Sequence, residues 1–343
     1  DRKVNILTFV DIINTKRATR TVFILTPERA KELFKHKDEI DLEFVLFDEA
    51  QLSDEDSTRG LFFDSIVRRI QSTFPEAKCI FAHPFVSNPE AQLQKNNFDI
   101  DDSKAFRYEQ KCVGQIFFAH DGISYFHFGL DADIMGKRKI QSNFDPILRS
   151  LQTGGSVLIY TTRASIYNRS VFDKFKFYID ECHTLTDSTA LHLIEQFKKC
   201  IGATDKGKGY YTSSMLEYMR KGIVVHHGSL PLQARLILEH FTQKGFCRIC
   251  FATSTLEQGI NMPFDVVYLN TFQASRTLSM KNLIGRAGRS TIQPHFDYGC
   301  IIIKSENMST FRNVMLCNEM LNTTSLLDTT DDENPELRDF KEA

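Results

Sequence analysis

Short apolar runs alternate along this chain with longer segments whose apolar residues recur at helical spacing. The runs are rich in β-branched and aromatic residues, which favours buried strands. They cover residues 22–25, 44–47, 78–81, 157–160, 223–225, 248–251, 266–269 and 300–303. Candidate helices between them include residues 27–34, 61–70, 191–201, 232–241 and 308–321. Buried strands that alternate with helices predict α/β domains with parallel sheets.

One segment departs from this alternation. Val113–Phe118 and Ser124–Phe128 flank the pair Asp121-Gly122, which is typical of a tight hairpin turn. A length of 343 residues is enough for two cores. The predicted organisation is a first domain at 1–105, a hairpin-containing linker at 106–150, a second domain at 151–320, and an acidic tail or the start of an accessory domain at 321–343.

Composition narrows the class of protein. The formal net charge is −2, so a nucleic-acid site would have to be a local stripe. The eight cysteines have no spaced framework, and the Cys247-x-x-Cys250 pair lies in an apolar run, which favours buried thiols over a metal site. The chain has no signal-type N-terminus and no apolar stretch of about 18 residues. We therefore expect an intracellular, cytoplasmic protein with no membrane partner.

Two adjacent acids, Asp48 and Glu49, follow the apolar run 44–47. We expect both carboxylates to be partly desolvated there, which is costly unless a cation lies close. Ligands of open parallel sheets bind beyond the carboxyl ends of the strands. Asp48 could hold Mg²⁺ at such an end while Glu49 activates a water for attack on a phosphoryl group. A solvated acidic loop is the alternative.

Two arginines stand close together near the end of the second domain. Arg286 and Arg289 are three residues apart, so we expect them on one face of a helix, where planar guanidinium groups suit phosphate oxygens. Gly285 and Gly288 are costly inside a helix and indicate close approach of another group. An ordinary basic helix end is the alternative.

A further polar segment, residues 251–263, follows another apolar run. Its hydroxyl residues, among them Thr253, can offer hydrogen bonds to phosphates. Asn261 can bond to a ribose or to an arginine. A capped helix is the alternative for the hydroxyl residues alone.

In chain order, these segments resemble superfamily 2 helicases, and most closely the Ski-like branch. Asp-Glu-Ala-Gln at 48–51 is similar to the family's Walker B box. Residues 252–263 and 282–289 are similar to its A-T-S-T-L-x-x-G-x-N-x-P and Q-x-x-G-R-A-G-R signatures. The similarity covers residues 21–304. Its other elements are Thr-Pro-Glu-Arg at 26–29, an Arg-Gly pair ending at Gly60, a coupling segment at 82–89, and opening segments of the second domain at 157–163 and 224–231.

The resemblance implies two RecA-like parallel-sheet domains, the first one partial, with ATP and Mg²⁺ between them. It implies an ATP-dependent helicase or translocase that moves along single-stranded or partly duplex DNA or RNA, and it leaves protein partners unknown. Asp48 would bind Mg²⁺, Glu49 would be the general base, and Arg286 and Arg289 would be arginine fingers. The nucleotide would be lined by Gln51, Gly259, Asn261 and Asn282. The nucleic-acid strand would be contacted by Thr26, Pro27, Arg29, His227, Gly228 and Thr253.

Several positions depart from the family pattern. Gln51 stands where the branch usually has His, Asn282 where it usually has Gln, and residues 82–84 are Ala-His-Pro instead of Ser-Ala-Thr. The near match to a phosphate-binding loop, at 202–209, ends in Gly and follows a helix, so we expect a flexible loop there. We therefore expect the chain to begin partway through its first RecA-like domain.

Other interpretations stay open from sequence alone. A rival acid pair occurs in Asp-Glu-Cys-His at 180–183, after the apolar Phe-Tyr-Ile. The chain could also be a catalytically inactive, helicase-derived module that binds nucleic acid or a protein. A nuclease or restriction subunit that uses the same motor is a third reading, although no cluster of acids and lysine of nuclease type is visible.

Overall fold

Strands and helices alternate along the chain in the computed structural model, which describes residues 4–13, 18–99, 101–108, 113–131, 138–204, 213–256, 262–288 and 298–329. The strands are β1 Val4–Leu7, β2 Arg20–Phe23, β3 Phe44–Phe47, β4 Lys78–Phe81, β5 Gly114–His120, β6 Tyr125–Phe128, β7 Ile140–Gln141, β8 Val157–Tyr160, β9 Ile223–His226, β10 Ile249–Ala252, β11 Val266–Leu269 and β12 Tyr298–Lys304. All eight predicted apolar runs lie in or overlap these strands.

The α-helices cover most of the predicted helical segments and add others. They are α1 Pro27–Ala30, α2 Thr58–Thr73, α3 Glu90–Lys95, α4 Pro146–Gln152, α5 Arg163–Tyr167, α6 Ser170–Lys174, α7 Lys176–Asp180, α8 Ser188–Cys200, α9 Ser214–Arg220, α10 Leu232–Gln243, α11 Thr277–Ile284, α12 Met308–Leu316 and α13 Leu326–Thr329. Short 3₁₀ helices occur at Lys31–His36, Ala50–Asp54, Ser254–Leu256 and Ser305–Asn307. Of the helices described, none is long and apolar enough to cross a membrane.

Contacts divide the chain into two units. The first consists of Asp1–Glu109 with Asn318–Ala343, and the second of Gln110–Cys317. Both units have parallel sheets with helices between the strands, which confirms the predicted α/β fold class. The domain boundaries drawn from sequence stay predictions.

The second unit is built on one sheet, to which the described residues contribute eight strands in the order β7-β6-β5-β12-β11-β8-β10-β9. Strands β5, β12, β11, β8, β10 and β9 pair in parallel. Alternate residues of β8 enter two different cores, Leu158 and Tyr160 on one face and Val157 and Ile159 on the other. Burial on both faces explains why these strands appear in the sequence as continuous apolar runs.

The predicted hairpin is present and belongs to this sheet. The Asp121 amide donates to the Ser124 carbonyl over 3.3 Å, and Gly122 has φ +103°, a conformation that favours glycine at the turn. The hairpin pairs β5 with β6, and β5 pairs along its whole length with β12. The segment expected to be a linker thus adds strands to the second sheet, because Phe117 and Phe118 are buried in the cores of its two faces.

The first unit contains two parallel pairs of strands, β1 with β2 and β3 with β4. Helix α2 packs on one face of this unit, where Phe63, Ile66 and Ile70 join Phe47 in a single core. Gly60, in the first turn of α2, lies so close to the preceding turn that an added Cβ would be 2.1 Å from the Glu55 carbonyl oxygen. Only glycine fits there, which explains the Arg-Gly pair in physical terms.

The strands of the first unit also have an exposed apolar face. Alternate residues of β1 to β4 and the residue after β2 point away from the core and are 46–64% exposed: Val4, Ile6, Val22, Ile24, Phe44, Leu46 and Ile80. Parallel sheets ordinarily have both faces covered. Apolar area is therefore exposed here where a parallel sheet is usually packed.

The segment that follows α12 returns to the first unit and is held there by polar contacts. The Asn88 side chain donates to the Leu321 carbonyl over 2.9 Å and accepts from the Leu321 amide over 2.8 Å. Arg68 makes a bidentate contact with Asp328, at 2.9 and 2.6 Å. The helix expected at 308–321 ends at Leu316 because the chain leaves it there as extended backbone, with ψ 129° at Cys317.

The exposed face predicts opposite effects for two neighbouring residues of β3. Leu46 is 64% exposed and Phe47 is 7% exposed. Leu46→Lys should leave the thermal unfolding midpoint nearly unchanged and lower both binding of an apolar dye and aggregation. Phe47→Lys should destabilise the first unit by several kcal/mol, since it buries an unpaired charge. Calorimetry and light scattering check this, and a large loss of stability for Leu46→Lys would show that the face is packed.

Candidate functional site

The two acids after β3 form an exposed, strained turn. Asp48 is exposed and Glu49 is half-buried, so the desolvation expected for both carboxylates is wrong for Asp48. Glu49 has φ 51° and ψ 44°, the left-handed region that non-glycine residues rarely occupy. Its amide donates to Asp48 Oδ1 over 3.0 Å. Strained residues of this kind concentrate at functional sites.

The loop after β3 is joined to the loop after β4 by backbone pairing. The Ala50 amide donates to the Ala82 carbonyl over 2.9 Å, and the Ala82 amide donates to the Phe47 carbonyl over 2.9 Å. Gln51 follows in the 3₁₀ helix, is 7% exposed, and has a buried Oε1 for which the described part of the chain offers no hydrogen-bond partner. The loops that follow β3 and β4 are therefore joined by two backbone hydrogen bonds.

A buried polar network supports the same two loops. The Ser53 hydroxyl lies 3.3 Å from Gln92 Oε1, and this oxygen is 3.2 Å from His83 Nε2 in the Ala-His-Pro segment. The Lys95 side chain is fully buried; its ammonium group donates to Ser53 Oγ over 3.2 Å and pairs with Asp54. Burial lowers the pKa of His83, which favours the neutral imidazole. No local pattern indicates that Gln92 and Lys95 contact Ser53, which precedes them by 39 and 42 residues.

The Thr-Pro-Glu-Arg element begins α1 in the first unit. Thr26 is the N-cap residue and Pro27 occupies the first turn, which suits its fixed φ. The Thr26 side chain bonds to the Glu28 carboxylate and lowers the pKa of Glu28. Arg29 Nη1 donates to the Thr8 carbonyl over 2.8 Å. Thr26 and Arg29 are exposed, so both side chains are accessible to a ligand.

Neighbouring strands bring together the predicted residues of the second unit. Ala252 of β10 pairs with His226 of β9, and the Thr253 amide donates to the His226 carbonyl over 3.2 Å. Thr253 therefore lies beside the turn that contains His227 and Gly228. Burial is the main cause of the lowered pKa of His227, whose Nδ1 accepts from the Ser229 amide over 3.2 Å. Because Nδ1 accepts this hydrogen bond, the neutral ring carries its proton on Nε2, which can donate to a ligand.

Two residues at this edge were not singled out as binding residues from sequence. Arg163 and Tyr167 belong to α5, which begins directly after β8, the other neighbour of β10. Arg163 donates to the Ser229 hydroxyl, and its guanidinium carbon lies 5.4 Å from the centre of the Tyr167 ring. The signal available in sequence was an arginine and an aromatic residue four positions apart, immediately after an apolar run.

Arg286 does not lie on a helix, in contrast to the sequence prediction. Helix α11 ends at Ile284, and Arg286 lies in the turn that follows. Gly288 has φ +78°, and a Cβ there would lie 2.6 Å from the Gly299 amide nitrogen. Arg286 lies outside the helix because its carbonyl accepts from the Phe264 amide over 3.1 Å and the Gly288 amide donates to the Phe264 carbonyl over 2.7 Å. The close-approach role expected of Gly288 is confirmed.

Arg286 takes part in a buried electrostatic cluster. It is 9% exposed and close enough to His226 and Glu239 to influence the pKa of both. His226 Nε2 is 4.0 Å from Glu239 Oε1. Burial, with the positive charges of Arg235 and Arg286, lowers the pKa of His226 to about 4. Burial raises the pKa of Glu239 while both arginines oppose that rise.

The remaining predicted site residues are only partly described. Asn282 lies on α11 and is half-buried. Gly259, Asn261 and Arg289 lie outside the described residues, as does most of the loop expected at 202–209. Among the residues that the structure does describe, no three histidine, cysteine or acidic side chains are grouped to hold a metal, and Cys247 and Cys250 are buried free thiols.

The rival acid pair lies at the opposite edge of the second sheet. Asp180 ends α7 and pairs with Lys176 over 2.8 Å. Residues 181–187 line a cavity of about 280 Å³ together with Arg248, whose carbonyl accepts from the Val157 amide where β8 begins. These acids are therefore near the amino ends of the strands, away from His227 and Thr253.

Sequence comparisons relate the chain to several known helicases. The chain is 22% identical to the ATP-dependent DNA helicase Hel308 of Caldivirga maquilingensis over 279 residues, which are 77% of this chain and 34% of that protein. It is 30% identical over 117 residues to the antiviral helicase SKI2 of Saccharomyces cerevisiae, covering 31% of this chain and 9% of that protein. It is also 30% identical over 112 residues to mouse DNA polymerase theta, covering 32% of this chain and 4% of that protein.

These relatives are much longer than the matched regions, and the chain spans about a third of Hel308 and less of the others. No protein-family model matches the chain. Further helicases, among them the helicase MER3 of Saccharomyces cerevisiae and the RNA helicase DExH10 of Arabidopsis thaliana, match at similar identity. By these similarities, the chain is a relative of the superfamily 2 helicases of the DExH type.

Proposed function

We propose that this chain is part of the motor of an ATP-dependent helicase or translocase, which couples hydrolysis of Mg²⁺–ATP to movement along a single strand of DNA or RNA. The observation that carries the proposal is the acid pair. Asp48 and Glu49 follow a parallel strand, at the edge where ligands of α/β sheets bind, and Glu49 is held in a strained conformation.

The residues present suit a magnesium ion. Mg²⁺ is usually held by one or two carboxylates and completes its shell with water and substrate phosphates. Asp48 is exposed, and its Oδ1 accepts a hydrogen bond from the Glu49 amide, which orients the carboxylate. When bound, the ion would supply positive charge to the phosphoryl group under attack. Asp48 would hold it, and Glu49 would orient the attacking water and accept its proton.

Other residues of the proposed nucleotide site would neutralise phosphate charge or form hydrogen bonds with the nucleotide. Arg286 and Arg289 would neutralise charge on the phosphoryl group, as arginine fingers do. The guanidinium of Arg286 lies close enough to Glu239 to oppose the rise in the pKa of that buried carboxyl. The nucleotide would be contacted by Gln51, Asn282, Gly259 and Asn261. Among these, the buried Oε1 of Gln51 is available to accept a hydrogen bond.

The nucleic-acid strand would meet exposed residues in the first unit and, in the second, the exposed Gly228 with His227 and Thr253, which are 8% and 7% exposed, beside it. Thr26, Pro27 and Arg29 would contact it in the first unit, and His227, Gly228 and Thr253 in the second. Contacts of hydroxyl groups, backbone amides and arginine to phosphate fix position without reading sequence. The pairing of Ala50 with Ala82 and the Ser53–Gln92–His83 contacts support a role of the Ala-His-Pro segment in linking hydrolysis to strand movement.

Replacement of Glu49 tests the catalytic proposal. Glu49→Gln should lower strand-stimulated ATP hydrolysis by roughly 10²–10⁴-fold, because the base is lost while shape is kept. Glu43→Gln is the matched control, since Glu43 is exposed just before β3, at its other end. A phosphate-release assay with and without single-stranded DNA and RNA measures this. Equal rates for Glu49→Gln and the control would contradict the role of Glu49.

The cluster around Arg286 predicts a loss of stability in mild acid. The pKa of His226 is about 4 in the folded chain and 6.5 as its ordinary value, so the folded state holds the neutral ring. Stability is therefore present above pH 6.5 and is lost as the pH falls toward 4, by roughly 3 kcal/mol. His226→Gln should remove this part of the pH dependence. Urea unfolding at several pH values measures it, with the exposed His192→Gln as control, and equal slopes for the two variants would contradict the prediction.

A further inference from the structure

One exposed aromatic side chain of the second unit lies at the ligand-binding edge of the sheet. Tyr167 is 60% exposed and ends α5, which begins directly after β8 with Thr162 as its N-cap. Because β8, β10 and β9 are parallel neighbours in register, the residues that follow them share one edge. Tyr167 and Arg163 are thereby placed beside His227, Gly228 and Thr253.

The ring of Tyr167 is held in position although it is exposed. Arg163 donates to the Ser229 hydroxyl, and the guanidinium carbon lies 5.4 Å from the centre of the tyrosine ring. The His227 ring centre is 5.8 Å from that of Tyr167, at an angle of 55°. Hydrogen bonds with Ser229 and Arg163 lower the pKa of Tyr167. Contacts from three residues therefore hold a ring that buries little apolar area itself.

A fixed, exposed aromatic ring beside a guanidinium group is the combination that binds nucleobases in single strands. Stacking on an aromatic ring is tolerant of sequence because every base has a π face, and a neighbouring arginine can contact the backbone phosphate. Preorganisation reduces the entropy lost on binding. Packing of the chain itself does not explain the ring, since more than half of its surface is exposed.

We propose that Tyr167 and Arg163 form a base-stacking subsite for single-stranded nucleic acid, in which the tyrosine ring stacks on a base and Arg163 contacts the adjacent phosphate. This inference rests on the proposed function, because it places a base on the path assigned to the strand. The subsite would contact a base, whereas His227, Gly228 and Thr253 are suited to contacts with phosphate and sugar. The subsite accepts DNA or RNA bases, since the π faces are the same.

The chain has no tryptophan, which permits a direct spectroscopic test. Tyr167→Trp introduces a single indole at the proposed subsite, and Phe177→Trp introduces one at a comparably exposed aromatic position, 58% exposed, on α7. Single-stranded DNA or RNA of about a dozen nucleotides should quench Tyr167→Trp strongly and leave Phe177→Trp nearly unchanged. An oligonucleotide of the same length whose sugars lack bases should bind without quenching.

Affinity measurements separate stacking from a structural role. Tyr167→Ala should weaken binding of the same oligonucleotides by roughly tenfold, as loss of one stacked base does, while Tyr167→Phe keeps most of the affinity. Neither variant should change affinity for the oligonucleotide without bases, and both should keep the thermal unfolding midpoint. Fluorescence anisotropy of labelled strands at fixed salt measures this.

The outcomes also separate this inference from the proposed function. If the wild-type chain binds strands and Tyr167→Ala binds them equally well, the base-stacking subsite is wrong while the motor proposal stands. A tenfold loss that also appears with the strand lacking bases would show that Tyr167 only positions Arg163, and it would overturn the stacking role. If the wild-type chain binds no single strand at all, both proposals fail.

Discussion

Parallel pairing in register is the constraint on which the rest of this structure depends. In the second unit, Ala252 is opposite Tyr160 on one side and His226 on the other, so β8, β10 and β9 end at the same level. The apolar residues of these strands are buried on both faces of the sheet. The polar residues that follow each strand therefore lie at its carboxyl edge. Thr253, His227 and Arg163 are therefore brought to one edge, although Arg163 precedes His227 by 64 residues and His227 precedes Thr253 by 26. The same pairing in the first unit, between β3 and β4, joins the loop of Asp48 and Glu49 to the Ala-His-Pro segment.

The two units differ in how their polar groups are stabilised. In the first unit, a fully buried lysine, Lys95, is paired with Asp54 and bonded to Ser53. A buried ammonium group without such partners would cost several kcal/mol, so this contact fixes the loop that carries the acids. In the second unit, a glycine holds the backbone near the candidate site. Gly288 allows the backbone to approach Gly299, and this approach sets the position of Arg286 after its helix. The Lys95–Asp54 pair in the first unit and the Gly288–Gly299 approach in the second each hold the backbone next to a candidate site residue.

Much of the fold could be predicted from sequence, because burial on both faces leaves an unmistakable pattern of apolar runs. Residues 157–160 and 266–269 were predicted to the residue, and the hairpin followed from Asp121-Gly122. The local sequence pattern gave wrong predictions where contacts between residues distant along the chain determine the structure. The backbone around Arg286 pairs with Phe264 instead of continuing the helix, and the hairpin joins the second sheet because β5 pairs with β12, nearly two hundred residues away. The partners of Ser53 and the ring of Tyr167 depend on contacts that no local spacing reveals.

Ligands of this chain are expected at the carboxyl edge of the sheets and not at the amino edge, where the rival acids lie. Hydrogen–deuterium exchange of the chain, with and without a single-stranded oligonucleotide and Mg²⁺–ATP, tests this most directly. We expect slower exchange in the segments around Thr26–Arg29, Arg163–Tyr167 and His227–Ser229, with no change at residues 181–187. Protection confined to residues 181–187 would contradict it, because it would place the ligand beside Arg248 at the opposite edge.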